Sequence, residues 1–392
     1  MLTDAINSLA RQCLGRCVSL RRRIHRFPEL AFQEHRTAKL VSEVLCSLGL
    51  EPQSGVAGTG VVALLQGAAP GRTVLLRADM DALPIQERVD LPFRSRIPNR
   101  MHACGHDGHV AGLLGAAMVL SQVRPHLKGQ VKLVFQPAEE RGGGAARMIE
   151  QGILEDPPVD AAFGCHLWGD LPEGRVQVRP GPLMAAPDGF RFRIQGVGGH
   201  GSAPHQTVDP VLLGVQAISF MQGIVSRRVN PLDPAVLSVC SVHAGDCDNV
   251  IPDALEATGT VRAFDDDLRD FIAREMERIL AGVTAPWGAT YTFEYRKSNP
   301  PLVNDPAMAE LLARAFEQSL GPGNVIRLGS PTMGSEDFAY IAQKVPSAFA
   351  LVGIARDGKT PMPHHQGEFQ WDDRNLLPLI RGLAQVAADF LA

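Results

Sequence analysis

Short apolar runs that alternate with helical segments are the feature that most restricts the fold of this 392-residue chain. Runs of strand length occur at 61–65, 73–76, 131–135 and 161–165, and residues 110–120 have the composition of a helix core. Strands that alternate with helices along a chain form a largely parallel sheet with helices on both faces. The pattern therefore predicts an α/β domain with a central, mostly parallel sheet.

The pattern changes near residue 184. Phe190, Phe192 and Ile194 alternate with polar residues, as in a strand that buries one face. The elements that periodicity indicates after this strand are a helix at 210–228, strands at 236–243 and 255–263, a helix at 266–284 and a strand at 289–297. This βαββαβ order is that of a ferredoxin-like unit.

The chain returns to α/β character after Ser298, with a helix near 306–319 and a strand at 348–352. We therefore predict one α/β domain built from residues 1–183 and 299–392, with a second domain, residues 184–298, inserted into it.

Charge and cysteine content exclude two classes of protein. The net charge is −4, so no overall basic field favours a nucleic-acid partner. The basic run at Arg21–Arg23 with Arg26 is interpreted as the charged face and C-terminal end of the first helix, where cations suit the helix dipole. The seven cysteines are an odd number in a long chain, which favours reduced thiols over a disulfide framework.

Membrane and export segments are not apparent in the sequence. The N-terminus has no apolar run behind a basic segment, as a signal peptide would require. The longest apolar stretch, Val110 to Leu120, is far shorter than the ~20 residues of a membrane span. The expectation is a soluble, cytoplasmic protein with no membrane partner.

Chemically reactive side chains follow several of the predicted strands. Asp79 and Asp81 end the strand that starts at Thr73, and Glu139 with Glu140 comes after the strand at 131–135. His166 directly follows the strand at 161–165. Because ligands of open α/β sheets bind beyond the carboxyl ends of the strands, these groups are expected to converge on one edge of the sheet.

The segment His102–His109 contains three histidines and a cysteine, on a loop predicted to open the helix at Val110. Histidine and cysteine are suitable ligands for Zn²⁺, Co²⁺, Ni²⁺ or Mn²⁺. Two alternatives remain open for this segment. It is either a polar loop with a buried cysteine, or Cys104 is a catalytic nucleophile activated by a histidine.

Adjacent carboxylates at the end of a strand can divide two tasks between them. One of Glu139 and Glu140 can bind a metal ion while the other serves as a general base toward water. The residues alone leave His166 and the pair His364-His365 ambiguous, since each is either an ordinary histidine at the rim of a site or a metal ligand.

Several motifs in the same order resemble the metal-dependent amidohydrolases of the M20 peptidase superfamily. The similar branch contains hippurate hydrolases, N-acyl-L-amino acid amidohydrolases and plant hydrolases of indoleacetyl-amino acids. The motifs that carry the resemblance are RADMDALPIQE (77–87), MHACGHDGH (101–109), FQPAEE (135–140), HLW (166–168), GGHGSAPH (198–205), DNVIPD (248–253), GTVRAF (259–264) and GSEDFAY (334–340). MHACGHDGH together with PAEE is the most specific combination.

The resemblance implies a centre of two divalent metal ions, with Mn, Zn, Co and Ni as the candidate metals. Its implied ligands are Cys104, His106, Glu140, His166 and a C-terminal histidine. His365 is chosen as that histidine because Phe369 follows it at the family's spacing, and His364 is the alternative.

The resemblance also implies roles for residues that do not bind metal. Glu139 is the base that activates the attacking water, and Asp81 orients a ligand. The inserted domain resembles the family's dimerisation domain, so a homodimer or a homotetramer is implied. His200 of that domain is expected to reach the active site of the other subunit and to bind the oxyanion, while Arg262 with Asn249 resembles the clamp for the substrate carboxylate.

The predicted function is hydrolysis of N-acyl-L-amino acids, such as hippurate, to a carboxylic acid and a free amino acid. The alternative within the superfamily is a dipeptidase or carboxypeptidase. A cysteine amidase is a third hypothesis. A non-catalytic binding protein is a fourth, but it would be expected to lack Glu139 or several of the ligands, and none of these is missing here.

Overall fold

The computed structural model describes residues 2–140, 143–356 and 362–392, which form two compact units. The first unit consists of Met1–Leu183, Val303–Ser330 and Asp337–Ala392, and the second unit consists of Met184–Leu302 and Pro331–Glu336. Ser298 belongs to the second unit, because its amide donates to Asp188 Oδ1 and its carbonyl accepts from Arg269. That the second unit serves for dimerisation stays a prediction.

The helices and strands are numbered in chain order. The helices are α1 Leu2–His25, α2 His35–Ser47, α3 His106–Val123, α4 Gly144–Glu150, α5 Pro210–Arg227, α6 Asp266–Thr284, α7 Pro306–Leu320, α8 Ala339–Ala342 and α9 Leu376–Phe390. The strands are β1 Gln53–Val56, β2 Gly60–Gln66, β3 Ala69–Asp79, β4 Lys128–Gln136, β5 Ala161–Pro172, β6 Val176–Gln177, β7 Gly181–Met184, β8 Ala186–Gln195, β9 Gly199–His200, β10 Ala235–His243, β11 Val250–Ile251, β12 Ala254–Ala263, β13 Thr290–Arg296, β14 Leu302–Asn304, β15 Val325–Ile326 and β16 Ser347–Ala355.

An eight-stranded sheet with the order β1-β2-β4-β3-β5-β16-β6-β15 forms the centre of the first unit. Its middle strands β4, β3, β5 and β16 are parallel neighbours, whereas β1 with β2, β2 with β4 and β6 with β16 are antiparallel. The predicted α/β class with a mostly parallel central sheet is confirmed. Each antiparallel pair includes at least one strand outside these four. Reactive residues follow β3 and β4, which are parallel to each other.

Helix α3 is apolar and buried on all sides, as a helix inside a core must be. It packs between the sheet and the helices α1 and α9. Gly115 allows this close approach, because a Cβ there would lie 2.6 Å from Ile380 and 2.8 Å from the Cys17 sulfur. A rigid, buried α3 gives the residues at its N-terminus a fixed position relative to the strand ends.

Helix α1 carries a buried cation, which corrects the interpretation of its basic run as a solvated face. Arg21 is 1% exposed, and its Nε lies 2.9 Å from Asp107 Oδ2 while its Nη1 lies 2.6 Å from Asp373 Oδ1. Its guanidinium also stacks on the ring of Trp371, 3.8 Å from the centroid. The interpretation holds for Arg22 and Arg23, which are exposed.

We expect Arg21→Met to lower the free energy of unfolding by about 3–5 kcal/mol, because it leaves the buried Asp107 carboxylate without its guanidinium partner. Urea unfolding followed by circular dichroism measures this change. Arg23→Ala, on the exposed face of the same helix, is the matched control and should change stability by less than about 0.5 kcal/mol. Equal effects of the two substitutions would contradict the assignment.

The second unit is an antiparallel sheet with the order β10-β12-β8-β13, and helices α5 and α6 pack against it. Phe190, Phe192 and Ile194 of β8 are buried, and they form a core with residues of both helices. The chain order of these main elements is the βαββαβ order that periodicity predicts. The strand order is that of a ferredoxin-like sheet.

Among the described residues, no helix is long and apolar enough to cross a membrane. The longest apolar run of the sequence lies in α3, where the protein core surrounds it.

Candidate metal centre

Cys104 and His106 lie at the start of α3, on either side of Gly105. Gly105 has a φ of +90°, a left-handed conformation that a residue with a Cβ rarely adopts. The helix begins at His106 rather than at Val110, so the expectation that His106 and His109 lie on a loop was wrong. The left-handed glycine is the reason, because it lets the turn close directly into the helix.

The two ring nitrogens of His106 have different surroundings: Nδ1 is held by a hydrogen bond, and Nε2 is not. Its Nδ1 donates to the main-chain oxygen of Asp81 at 2.9 Å, which leaves Nε2 as the acceptor nitrogen. Nε2 is buried and has no hydrogen-bond partner among the described residues. Burial lowers the pKa of His106, but the charge of Asp79 and the contact with Asp81 outweigh it and raise the pKa well above its usual range. The surroundings therefore favour a positive charge at this nitrogen.

His166 is oriented in the same manner. Its Nδ1 donates to the carbonyl of Leu167 at 2.6 Å, and its Nε2 lies 3.4 Å from the Cys104 sulfur. Burial lowers the pKa of His166 well below its usual value, so the ring is neutral and can serve as a candidate ligand. His166 lies within β5 rather than after its end, because the pairing with β16 continues to Trp168 and beyond.

The turn after β4 carries both glutamates. The carboxylate of Asp81 accepts hydrogen bonds from the amides of Glu139 and Glu140, each at 3.1 Å. Ala138, which precedes them, has a φ of +54° although it is not glycine. Asp81 thus holds the backbone of both glutamates through its side chain and the ring of His106 through its carbonyl.

The two C-terminal histidines point in different directions. His365 Nε2 lies 3.1 Å from Glu140 Oε1, next to the other candidate ligands. His364 Nε2 donates to the Leu167 carbonyl at 3.0 Å, and its ring packs among Trp168 and Phe369. Burial lowers the pKa of His364 to about 4, so it is a neutral packing residue. The geometry favours His365 over His364 as the ligand.

These side chains form one continuous cluster. Three groups of side chains can be distinguished, and within each group the donor atoms lie within 4.8 Å of one another. The groups are Cys104, His106 and His166; Cys104, Glu140 and His365; and His106, Glu139 and Glu140. The groups share members, so the predicted ligands and the predicted base lie together. A mixture of thiol, imidazole and carboxylate suits Zn²⁺ and the neighbouring transition metals.

The environment of Cys104 argues against a nucleophilic role. Burial, together with the charge of Glu140, raises the pKa of the thiol well above its usual range. A catalytic cysteine needs a lowered pKa, because the thiolate is the nucleophile. In the absence of a cation, this site therefore keeps the sulfur protonated, and the arrangement fits a metal ligand better than an attacking group.

The other two histidines of the motif, His102 and His109, belong to none of these three groups. His109 Nδ1 donates to Asp79 Oδ1 at 2.6 Å, and its Nε2 accepts the amide of Leu167 at 2.9 Å, so both ring nitrogens are used. His102 is 1% exposed, and neither of its ring nitrogens has a partner among the described residues. Of the three histidines in the motif, His106 is the one whose acceptor nitrogen faces the cluster.

A buried ion-pair network beside the cluster was missed in the sequence. Arg77 on β3 binds Asp79 at 2.7 Å and Asp337 at 2.8 Å, and Gln136 also donates to Asp337. Asp337 in turn accepts the amide of Ala145 at 3.1 Å. Asp79 is the last residue of β3 and Asp337 lies in the GSEDFAY motif, but neither position identifies the partner of Arg77.

Asp107, next to His106, also binds His25. The two ring nitrogens of His25 lie 2.9 Å from Asp107 Oδ2 and 3.1 Å from Glu87 Oε1. Burial lowers the pKa of His25, but the charge and hydrogen bond of Asp107, with the hydrogen bond of Glu87, raise it above 6.5 overall. The imidazolium form is therefore stabilised in the folded state.

We expect the contribution of His25 to stability to depend on pH. Its pKa is raised on folding, so the contribution is complete below about pH 6.5 and is lost as the pH rises through the folded-state pKa. The difference in unfolding free energy between wild type and His25→Asn should therefore shrink from pH 6 toward pH 9. A difference that stays constant or grows with pH would contradict the assignment.

His200, Asn249 and Arg262 lie in the second unit. The Ser202 amide donates to His200 Nδ1 at 3.1 Å, so His200 Nε2 carries the proton and is available as a donor. The Asn249 carbonyl accepts the amide of Gly201 at 2.8 Å, which places Asn249 beside His200. Both lie next to the paired strands β9 and β11.

That Arg262 and Asn249 form one clamp stays a prediction, and the two residues lie far apart in a single copy of the chain. Ala254, at the start of β12, pairs with Gln195, whereas Arg262 pairs with Pro187 at the far end of β8. At about 3.3 Å per residue, roughly 26 Å of strand separate Arg262 from the end of β12 that follows β11. One small carboxylate cannot contact both residues of the same copy.

Comparisons with known proteins place the chain in a family. A model of peptidase family M20/M25/M40 matches residues 75–389. The chain belongs to the M20 peptidase family. The family match includes Cys104, Glu139 and His365, which lie in the cluster.

Relatives of this M20 chain include both amidohydrolases and peptidases. An N-acyl-L-amino acid amidohydrolase of Geobacillus stearothermophilus is 46% identical over 305 residues, which are 78% of this chain and 82% of the relative. Thermostable carboxypeptidase 1 of Saccharolobus solfataricus is 39% identical over 377 residues, 95% of this chain and 94% of the relative. The crystal structure of Bacillus subtilis YXEP, described as a dinuclear metal binding peptidase from the M20 family, has a TM-score of 0.85 and 35% identity, covering 97% and 99% of the two chains.

Proposed function

We propose that this M20 chain hydrolyses the amide bond of N-acyl-L-amino acids and uses two divalent metal ions bound by Cys104, His106, Glu140, His166 and His365. The observation that carries the proposal is the cluster itself. His106 offers a buried Nε2 with no hydrogen-bond partner among the described residues, beside a thiol, the neutral imidazole of His166 and two glutamates. Relatives named as an amidohydrolase and as a dinuclear metal-binding peptidase support the same reading.

The residues present fit a pair of divalent ions, and Mn²⁺, Zn²⁺, Co²⁺ and Ni²⁺ are all compatible with the donor set. Ions bound there supply Lewis-acid chemistry, which acidifies water and polarises a carbonyl oxygen. The carboxylates of Asp79 and Asp81, which favour a cation at His106, support this fit.

In the proposed reaction Glu139 handles the proton. Its carboxylate takes a proton from the attacking water and later gives that proton to the nitrogen of the leaving amino acid. Asp81 keeps Glu139 in place through the amide of its backbone.

The second unit completes the proposal through a second copy of the chain. We assign the oxyanion contact to His200 Nε2 from the partner copy, since Ser202 holds the opposite nitrogen of that ring. Arg262 binds the carboxylate of the substrate through its guanidinium fork, and Asn249 acts from the other copy beside His200. This arrangement requires a homodimer, or a homotetramer built from such dimers.

Release of amino acid from a substrate panel tests the function. The panel contains hippurate, other N-acyl-L-amino acids, their C-terminal amides, and dipeptides with a free amino group, with protein loaded with each of the four metals. We expect hydrolysis of the N-acyl amino acids, loss of activity on chelation, and a large preference for the free carboxylate.

Cleavage of dipeptides in place of N-acyl amino acids would overturn this proposal in favour of a dipeptidase or carboxypeptidase, the alternative that the Saccharolobus relative supports. Activity that survives complete chelation would instead favour a cysteine amidase. Binding of N-acyl amino acids without any cleavage would indicate a binding protein.

A further inference from the structure

We propose that Glu34 is a positioning residue for the general base, and that it acts by holding Ala138 in the left-handed conformation from which the Glu139 side chain departs. This inference rests on the proposed role of Glu139. Glu34 lies at the start of α2, far from the ligands in sequence, and its carboxylate is completely buried.

Three consecutive amides of the turn after β4 are bound by buried carboxylates. Glu34 Oε1 accepts the amide of Ala138 at 3.0 Å, and Asp81 accepts the next two amides. Ala138 is the residue of this turn that has a positive φ without being glycine. Its Cβ makes that conformation unfavourable, so the surrounding contacts must maintain it, and the hydrogen bond from its amide to Glu34 is one of them.

The same oxygen of Glu34 fixes a second residue of this kind. Oε1 also accepts the amide of Phe32 at 3.0 Å, and Phe32 has a φ of +60°. The other oxygen accepts the hydroxyl of Thr59. One carboxylate therefore joins the strained segment before α2 to the strained turn that bears the base.

Capping of α2 does not explain the position of Glu34. It is the N-cap residue of α2, yet its side chain makes no capping hydrogen bond. Glu29 takes that role, because its carboxylate accepts the amides of Arg36 and Thr37 at 2.9–3.0 Å. The Glu34 side chain therefore does not cap the helix, and its carboxylate binds the turn after β4 instead.

This role requires the length of the Glu34 side chain rather than its charge. Both amides are neutral donors, and burial raises the pKa of Glu34, which disfavours its ionised form. A glutamine can present its amide oxygen to both backbone amides and its NH₂ group to the Thr59 hydroxyl. Asparagine and aspartate are one methylene shorter and cannot span the same contacts.

Steady-state kinetics of Glu34→Asn, Glu34→Gln and Glu34→Asp on the best N-acyl amino acid of the panel tests the inference. We expect kcat to fall by ~10–100-fold in Glu34→Asn and in Glu34→Asp, with KM changed by less than ~3-fold, as for a reacting group displaced by about 1 Å. Glu34→Gln should recover most of kcat. Glu34→Asp also decides the question if Glu34→Asn does not fold.

Two further measurements separate positioning from general destabilisation. Hydrogen exchange of metal-free protein should become faster at the amides of residues 138–140 in the two shortened variants and should stay slow in Glu34→Gln. Thr59→Val, which removes the third contact and keeps both amide contacts, is the matched control. It should lower the melting temperature without the fall in kcat.

Unchanged kcat in both shortened variants would overturn the inference, as would a Glu34→Gln variant as slow as Glu34→Asn. Recovery by Glu34→Asp alone would also overturn it, because charge would then be the property that matters. Glu139→Gln is measured in parallel. If that variant remains fully active, the proposed function of Glu139 is wrong. If it is inactive while the Glu34 variants are normal, only the role of Glu34 is wrong.

Discussion

Glu139→Gln is expected to lower kcat by about 10²–10⁴-fold while the protein keeps its bound metal. The substitution preserves the size of the side chain and the backbone amide held by Asp81, but glutamine cannot take a proton from water. KM should change little, since the general base acts in the transition state and contributes little to substrate binding. Kinetics and elemental analysis of the same preparation measure both quantities.

Glu140→Gln is the matched control for this experiment, because it alters the neighbouring carboxylate on the same turn. Glu140 lies among Cys104 and His365, so its loss should reduce the metal content as well as kcat. Equal metal retention and equal loss of kcat in the two variants would contradict the division of roles. Full activity of Glu139→Gln would remove Glu139 from the mechanism.

Cys104→Ala is the second substitution with a large expected effect. It removes the sulfur that lies 3.4 Å from His166 Nε2 and within 4.8 Å of the donor atoms of Glu140 and His365. We expect the metal affinity to fall by more than the roughly 10–100-fold cost of losing a supporting residue around a metal site. Activity should fall with it, and excess metal should restore part of it.

Cys165→Ala provides the matched control for that experiment. Cys165 is the residue before His166 and is buried, but side chains alternate across a strand, so it faces away from the cluster. This variant should bind metal like the wild type. Loss of activity in Cys104→Ala with unchanged metal content would favour the cysteine amidase hypothesis over the metal centre.

The elements of the second unit were largely predictable because their periodicity is local. Alternation at Phe190, Phe192 and Ile194 indicates a strand with one buried face, and β8 has this pattern.

Helix α2 of the first unit was not predicted, although Ala38, Val41 and Leu45 follow helical spacing. The basic and acidic residues around them obscured the apolar face.

Long-range electrostatics could not be predicted from local pattern. Arg21 stands in a run of arginines that resembles a solvated helix face, and only the fold brings it to Asp107, 86 positions later in the chain. The same holds for Arg77 and Asp337, which lie 260 positions apart. The number and position of charged residues in the sequence do not show which of them will pair in the fold.

The candidate site was predictable to the extent that motifs carry it. Cys104, His106 and Glu140 stand in specific motifs and lie together in the structure. Arg262 and Asn249 were grouped by resemblance, but Arg262 lies near the end of β12, far from the start of that strand, which follows β11 and Asn249. The strand predicted at 255–263 already implies that separation, but the resemblance groups the two residues without regard to it.

Anomalous diffraction from crystals of Mn²⁺-loaded protein shows whether this cluster holds two metal ions. We expect two anomalous peaks in each chain, within bonding distance of atoms from Cys104, His106, Glu140, His166 and His365. No peak at this cluster, or a site formed by Asp79 and His109 in its place, would contradict the two-metal centre.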